Sequence, residues 1–281
     1  MKKHICLFFL CVCLGTIVNA QDTVSLNKKG YNFINPTPRQ KMREMETDRP
    51  DITESAYTVD AGHFQYEADI FRSVKTKEED FTITENSYNV GNLKFGITNT
   101  LDLHVIVESY RSYRIKDNTG KISTSSGGFG DITARIKKNI WGNDYGKTAF
   151  AVMPYITFPT ATKSENKHIE GGIVFPFSID LNNDWELGMQ LQVDLLRNDW
   201  NKKYHASILN SFVINKGITD KFNFFAESYY DYDFANEEFG IYINGGPSYS
   251  ISKNFKLDAG VNIGLEKGSD KVYFAGFSFR Y

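Results

Sequence analysis

Apolar residues recur at every second position over stretches of ten or more residues. That period admits β-strands with one oily and one wet face and excludes amphipathic helices over the same stretches. Between Trp185 and Leu195, Leu187, Met189, Leu191, Val193 and Leu195 alternate with Glu186, Gly188, Gln190, Gln192 and Asp194. The pattern returns at Phe255, Leu257, Ala259, Val261, Ile263 and Leu265 against Lys256, Asp258, Gly260, Asn262 and Gly264. It also covers 169–179 and 239–251. Each stretch is long enough to cross a bilayer as a tilted strand of roughly 9–11 residues. A periplasmic β-sandwich also needs alternating strands, but seldom ones this long.

Extending the rule predicts strands near 62–73, 86–97, 101–113, 129–140, 147–158, 169–181, 185–196, 204–216, 221–231, 238–251, 255–265 and 271–281. The fold class expected is all-β: a transmembrane antiparallel up-and-down barrel of about 12 strands with an N-terminal periplasmic or plug segment. Short turns are expected at 98–100, 142–146, 182–184, 217–220 and 252–254, and longer polar loops at 74–85, 115–128 and 159–168. Tyr88 and Val90 share one parity while Leu93, Phe95 and Ile97 take the other, so a bulge is expected at Gly91. Trp141, Tyr145, Trp185, Phe222, Phe255 and Tyr281 would form an aromatic girdle at the short-turn side.

Residues 1–20 read as a secretory signal peptide: Lys2 and Lys3 precede an apolar run from Ile5 to Val18, with Ala20 at the expected cleavage point. All three cysteines, Cys6, Cys11 and Cys13, lie inside it, so the exported chain would hold neither a disulfide nor a thiolate metal site. Three parts are expected: signal peptide 1–20, a polar segment 21–61 that is either a tail or a lumen plug, and a barrel over 62–281. Without Lys2 and Lys3, 30 basic residues face 34 acidic ones, and no basic run suits a phosphate backbone. Nucleic acid is not an expected partner.

If the oily parity faces lipid, the lumen receives Glu67, Asp69, Asp102, Glu108, Asp131, Glu170, Glu186, Asp194, Glu227, Asp231 and Asp258 against Arg135, Lys137, Lys256 and Arg280. Such an excess of carboxylates would attract cations, unless the charges pair across the lumen. Tyr110, Tyr155, Phe225, Tyr229 and Tyr242 would also point inward, as a stacking path or as filler. The candidates for a solute path are therefore Glu67, Asp69, Glu108, Arg135, Lys137, Tyr155, Glu227, Tyr229 and Tyr242.

No catalytic residue, metal site or cofactor is expected. Among His63, His104, His168 and His205, only His205 has a serine, Ser207, two positions along on the same strand face. Residues so spaced are roughly 7 Å apart, beyond hydrogen-bond reach. The stretch Gly127-Gly128-Phe129-Gly130 precedes a strand and not a helix, so it is no phosphate loop.

The segment Thr47-Asp48-Arg49-Pro50-Asp51, followed by Thr53-Glu54-Ser55 and by Gly62-His63-Phe64-Gln65-Tyr66-Glu67, resembles the outer-membrane transporter family named for the meta-pathway of phenol degradation. Gly128 to Thr133 and the Pro154, Phe158-Pro159-Thr160 stretch look like the same family, although Ala161 stands where a glycine is usual. The resemblance implies an outer-membrane barrel that takes up small molecules, aromatic ones included. A barrel enzyme acting on lipid or glycan, and a structural or adhesion barrel, are the alternative readings. The last strand closes on Tyr281, which resembles the signal read by the barrel assembly machinery. That machinery, outer-membrane lipid and a small-molecule solute are the expected partners. Asp48, Arg49 and Asp51 are the expected plug contacts, with Arg49 meeting lumenal carboxylates and Asp48 or Asp51 meeting Arg135 or Lys137.

Overall fold

The computed structural model of the chain describes residues 28–162, 167–198 and 201–281. The expected signal peptide lies outside them. The strands are β1 (Phe64–Lys77), β2 (Phe81–Thr98), β3 (Leu101–Asp117), β4 (Ile122–Gly128), β5 (Ile132–Trp141), β6 (Thr148–Phe158) and β7 (Glu170–Leu181). β8 (Trp185–Arg197), β9 (Tyr204–Gly217), β10 (Phe222–Asp233), β11 (Glu238–Ser252), β12 (Phe255–Gly264) and β13 (Lys271–Arg280) complete the wall. Apart from β4 and β5, neighbours in sequence pair antiparallel, and β13 returns to pair with β1, which closes the sheet. β3 pairs with β4 over Arg111 to Lys116 and with β5 over Leu101 to Val107. β4 and β5 are thus two lengths of one stave, interrupted at Phe129 to Asp131, and the barrel has the twelve staves that the alternation predicts.

The alternation decides which side each residue takes. On β8, Leu191, Val193 and Leu195 lie exposed on the outer face, while Gln190 is buried inside. Phe212, Ile214, Tyr249 and Ile251 extend the exposed apolar belt around the wall. Water would not tolerate a belt of this extent, and a bilayer requires one. Closure is the matching condition on the backbone, because lipid offers no partner to an unpaired strand edge. Trp141, Tyr145, Trp185, Phe222 and Tyr281 stand exposed at the end that carries the short turns, called here the turn end.

Two expected polar loops are strands instead. Residues 74–85 and 115–128 mostly extend the β1–β2 and β3–β4 hairpins, with turns only at 78–80 and 118–121. Beyond the apolar belt both faces of a hairpin meet water, so the ladder continues where the hydrophobic alternation stops.

The expected bulge at Gly91 is displaced and shared by three strands. Gln65, Glu67 and Asp69 face inward, the register against β13 then shifts between Asp69 and Phe71, and Ile70 and Phe71 both turn outward. Across the hairpin Asn89 takes a left-handed φ of 50°. Its side chain accepts from Tyr66 Oη at 2.7 Å and donates to Ser109 Oγ at 2.9 Å. The inward parity therefore changes on β1, β2 and β3 at one level. One consequence corrects the expectation for Tyr110, which lies on the outer face, 47% exposed and 6.2 Å from the Tyr88 ring.

Candidate functional site

Residues 28–61 enter the lumen at the turn end, reach about half-way along the barrel, and return to the same end before β1 begins. The base is tied by charge: Lys28 Nζ lies 3.1 Å from Asp60 and 3.0 Å from Asp144, and Arg43 Nη1 lies 2.9 Å from Asp144. Lys256 and Arg280, projecting inward from β12 and β13, donate to the Met45 and Glu44 carbonyls. Met45, Ala56 and Ala61 are fully buried, so the segment fills space as well as carrying charge.

Arg49 is held by a pocket that only the register creates. Asp69 on β1 and Asp258 on β12 both pair with Gly276 on β13, so three neighbouring strands present carboxylate, glycine and carboxylate in one row. The Arg49 guanidinium lies over Gly276, with Nη1 2.7 Å from Asp69, Nη2 2.6 Å from Asp258 Oδ1 and Nε 3.2 Å from Asp258 Oδ2. A Cβ at position 276 would collide with the guanidinium and with the Ala68 carbonyl.

Asp48 points to the opposite wall. Its carboxylate lies between Lys94 on β2 and Lys137 on β5, the latter at 2.7 Å, and also accepts from the Ser55 amide at 2.9 Å. Burial alone would lift the Asp48 carboxyl, but Lys137 and Lys94 outweigh it and hold the group well below the usual carboxylate range. Glu67 completes this corner by pairing with Lys94 and accepting the Asp48 and Arg49 amides at 3.0 and 3.1 Å.

The tip is fastened through its backbone. Glu227 accepts the Ile52 amide at 2.9 Å, the Thr53 amide at 2.8 Å and the Thr53 hydroxyl at 2.7 Å. Gln190 accepts the Glu54 amide at 2.7 Å, and the Glu54 carboxylate pairs with Arg135. Burial and the Asp48 carboxylate nevertheless push Glu54 up to about 7. Asp51 meets neither Arg135 nor Lys137; burial and the nearby Glu227 carboxylate raise it well above the ordinary value. On the way back Asn139 donates to the Ala56 carbonyl, and Asp102 accepts the Val59 amide at 2.8 Å.

The nine path candidates fall into two groups. Glu67, Asp69, Arg135, Lys137 and Glu227 hold residues 48–54. Glu108, Tyr155, Tyr229 and Tyr242 are not among the partners of that segment. Tyr229 and Tyr242 stack face to face, with centroids 4.6 Å apart and planes 11° apart. The Asn262 amide meets the Tyr229 hydroxyl at 2.5 Å. Tyr155 donates to Asp194 and lies under the Arg135 guanidinium, 5.6 Å from its ring centroid. Glu108 packs against Gly130 and lies 3.8 Å from Arg111.

Two features of the lumen stand outside the nine path candidates. Val213, Phe225, Val272 and Phe274 are buried inside the barrel and pack with Val74, an apolar cluster set among the inward polar groups of β9 to β13 and β1. Lys94, which pairs with Asp48 and Glu67, sits beyond the parity change in β2. His205 bonds Asp233 at 3.0 Å, but the Ser207 hydroxyl donates to the Tyr232 carbonyl and not to the imidazole.

A family model described as "Putative MetA-pathway of phenol degradation" matches residues 47–281. Among solved structures, an outer membrane channel from Pseudomonas putida F1 aligns with a TM-score of 0.63 at 12% identity, covering 84% of this chain and all of that one. The NanC porin aligns with a TM-score of 0.51 at 12% identity, over 76% of this chain and 98% of that one. The transport unit of the autotransporter AIDA-I from Escherichia coli gives a TM-score of 0.53 at 9% identity, over 84% and 92%. These likenesses show the fold, a twelve-stranded barrel of the outer-membrane kind. No curated protein matches the sequence.

Proposed function

Because the chain belongs to the family whose model is named for phenol degradation, we propose that it is an outer-membrane channel for small solutes, apolar and aromatic compounds among them. The turn end then faces the periplasm. The observation that carries the reading is that the lumen holds an apolar, aromatic cluster as well as a polar network. The cluster offers Val213, Phe225, Val272, Phe274 and the Tyr229–Tyr242 stack. The network offers Arg135, Gln192, Asp194 and Tyr155, joined to one another by hydrogen bonds and ring contact. A small ring could slide along the first while its polar substituents keep partners on the second.

Residues 28–61 act as a plug in this reading, with Asp48, Arg49 and the carboxylates around them as its latch. Glu108, Tyr155, Tyr229 and Tyr242 line the entry side. Lipid surrounds the apolar belt, and β13, ending next to Tyr281, is the strand offered to the barrel assembly machinery. The neighbours in fold named above include a channel and a porin, which favours transport over an enzyme of lipid or glycan.

Deleting residues 21–58 and recording single-channel conductance in a planar bilayer tests both parts. A larger conductance supports a plugged channel. Unchanged conductance would sink the plug, and no conductance in either form would sink the channel.

A further inference from the structure

The turn end carries exposed apolar and basic groups that neither the barrel nor the plug uses. Phe33 is 55% and Ile34 79% exposed. The backbone there is tied to the rim, because Asn32 bridges to Thr98 and the Phe33 amide donates to the Ile97 carbonyl. Five residues on, Arg39 opens a short 3-10 turn and its guanidinium lies 5.1 Å from the Tyr281 ring centroid. Tyr281 is 60% exposed and stacks on Phe64, and Phe279 stands beside it on the outer face. Between this segment, the β11–β12 turn and the end of β13 lies a cleft of about 630 Å³, lined by Arg39, Lys253, Phe279 and Tyr281 among others. Arg43 and Arg280 form its inner side and are already engaged by Asp60, Asp144 and Asn254. Arg39 and Lys253 are exposed at its mouth.

We propose that this cleft binds the headgroup of an anionic phospholipid in the periplasmic leaflet, with the phosphate between Arg39 and Lys253 and the acyl chains against Phe279, Tyr281 and Ile34. Three observations converge. The outer-face aromatics at this end mark the level of the interface, where amphipathic rings settle at headgroup depth. Along 33–41 the exposed Phe33 and Ile34 precede the exposed Arg39 and Lys41, so the rim offers apolar and cationic groups together. Two cations with no carboxylate partner among the described residues, Arg39 and Lys253, then face the phosphate layer, where each contributes to anionic-lipid attraction. A lipid held there would pin the base of the plug, since Arg39 and Arg43 belong to the same stretch of chain. The proposal rests on the outer-membrane reading.

The test is native mass spectrometry of the full barrel in non-ionic detergent, titrated with phosphatidylglycerol or phosphatidylcholine. Phosphatidylglycerol should be retained preferentially, and the Arg39→Gln/Lys253→Gln pair should weaken its binding roughly thirtyfold. Arg39→Lys with Lys253→Arg should keep most of it. Lys253→Gln alone, on an exposed turn, gives a second reading if the pair misassembles. Equal retention of the two lipids, or an unchanged affinity in the variants, overturns the proposal. So does displacement by millimolar inorganic phosphate, which would mark a site for free anions. A barrel that conducts in bilayers yet shows no lipid preference would refute this site and leave the channel reading standing.

Discussion

The Arg49 guanidinium meets the Asp258 carboxylate side-on, with Nη2 on one oxygen at 2.6 Å and Nε on the other at 3.2 Å. Two parallel bonds of this kind fix orientation as well as distance, and an ammonium cannot reproduce them. Residue 49 lies in the N-terminal segment and residue 258 in the wall, so the pair ties the two together and, in the proposed reading, latches the plug.

Arg49→Met should therefore loosen the plug while the barrel still assembles. Removing one member of a buried pair costs about 3–5 kcal/mol, here charged against docking of the segment, because Asp69 and Asp258 lose their partner. The expected results are higher single-channel conductance, a lower thermal midpoint and unchanged heat-modifiable migration on gels. Arg49→Lys should recover only part of the closure. Wild-type conductance in Arg49→Met would show that the latch does not hold the segment.

Gly276→Ala should copy that phenotype without touching a charge. The added methyl occupies the place of the guanidinium and also presses on the Ala68 carbonyl. Combining Gly276→Ala with Arg49→Met should add little conductance, since both remove one interaction. Full additivity would mean that the glycine acts elsewhere.

Acid should tighten the plug. Glu54 is pushed up to about 7 from an ordinary 4.5, so the docked segment keeps a proton that the undocked segment gives up. Its favourable contribution is complete below 4.5 and is lost as the pH rises through about 7. Asp48 is shifted downward, so its contribution is present above 3.8 and does not vary in that window. Conductance should rise between pH 5 and pH 7.5, and Glu54→Gln should flatten the rise. A slope that survives Glu54→Gln would assign it to another group, Asp51 first.

Tyr242→Ala tests the path beyond the plug. Aromatic pairs contribute roughly 0.5–1.5 kcal/mol beyond their buried area, so flux of a small phenolic solute should fall about two- to tenfold. Flux of a polar solute of similar size should change little in the same proteoliposome assay. An equal loss for both would make Tyr242 a structural filler.

The expected inward residues were largely placed where parity put them. Gln190 and Asp258 face in, and Leu191 and Leu257 face out. Parity failed where two neighbours turn outward in succession, at Ile70 and Phe71 and beside Asn89. It misplaced Tyr110 for that reason and passed over Lys94. It also gave no hint that Phe274 and Val213, which it puts inside, would form an apolar cluster there, because period two says which face a residue takes and not whether that face meets water.

The sequence by itself determined the wall: a side-chain period of two, held over strands long enough for a bilayer, has one sheet geometry that hides every backbone polar group. Only the tertiary structure decided what the lumen holds. Arg49 and Asp258 are 209 positions apart, and their meeting depends on closure between β13 and β1, on the register that sets Asp69, Gly276 and Asp258 in one row, and on the path of a segment without alternation. Charges so placed can choose among many partners in sequence, and the fixed geometry of the closed sheet selects one.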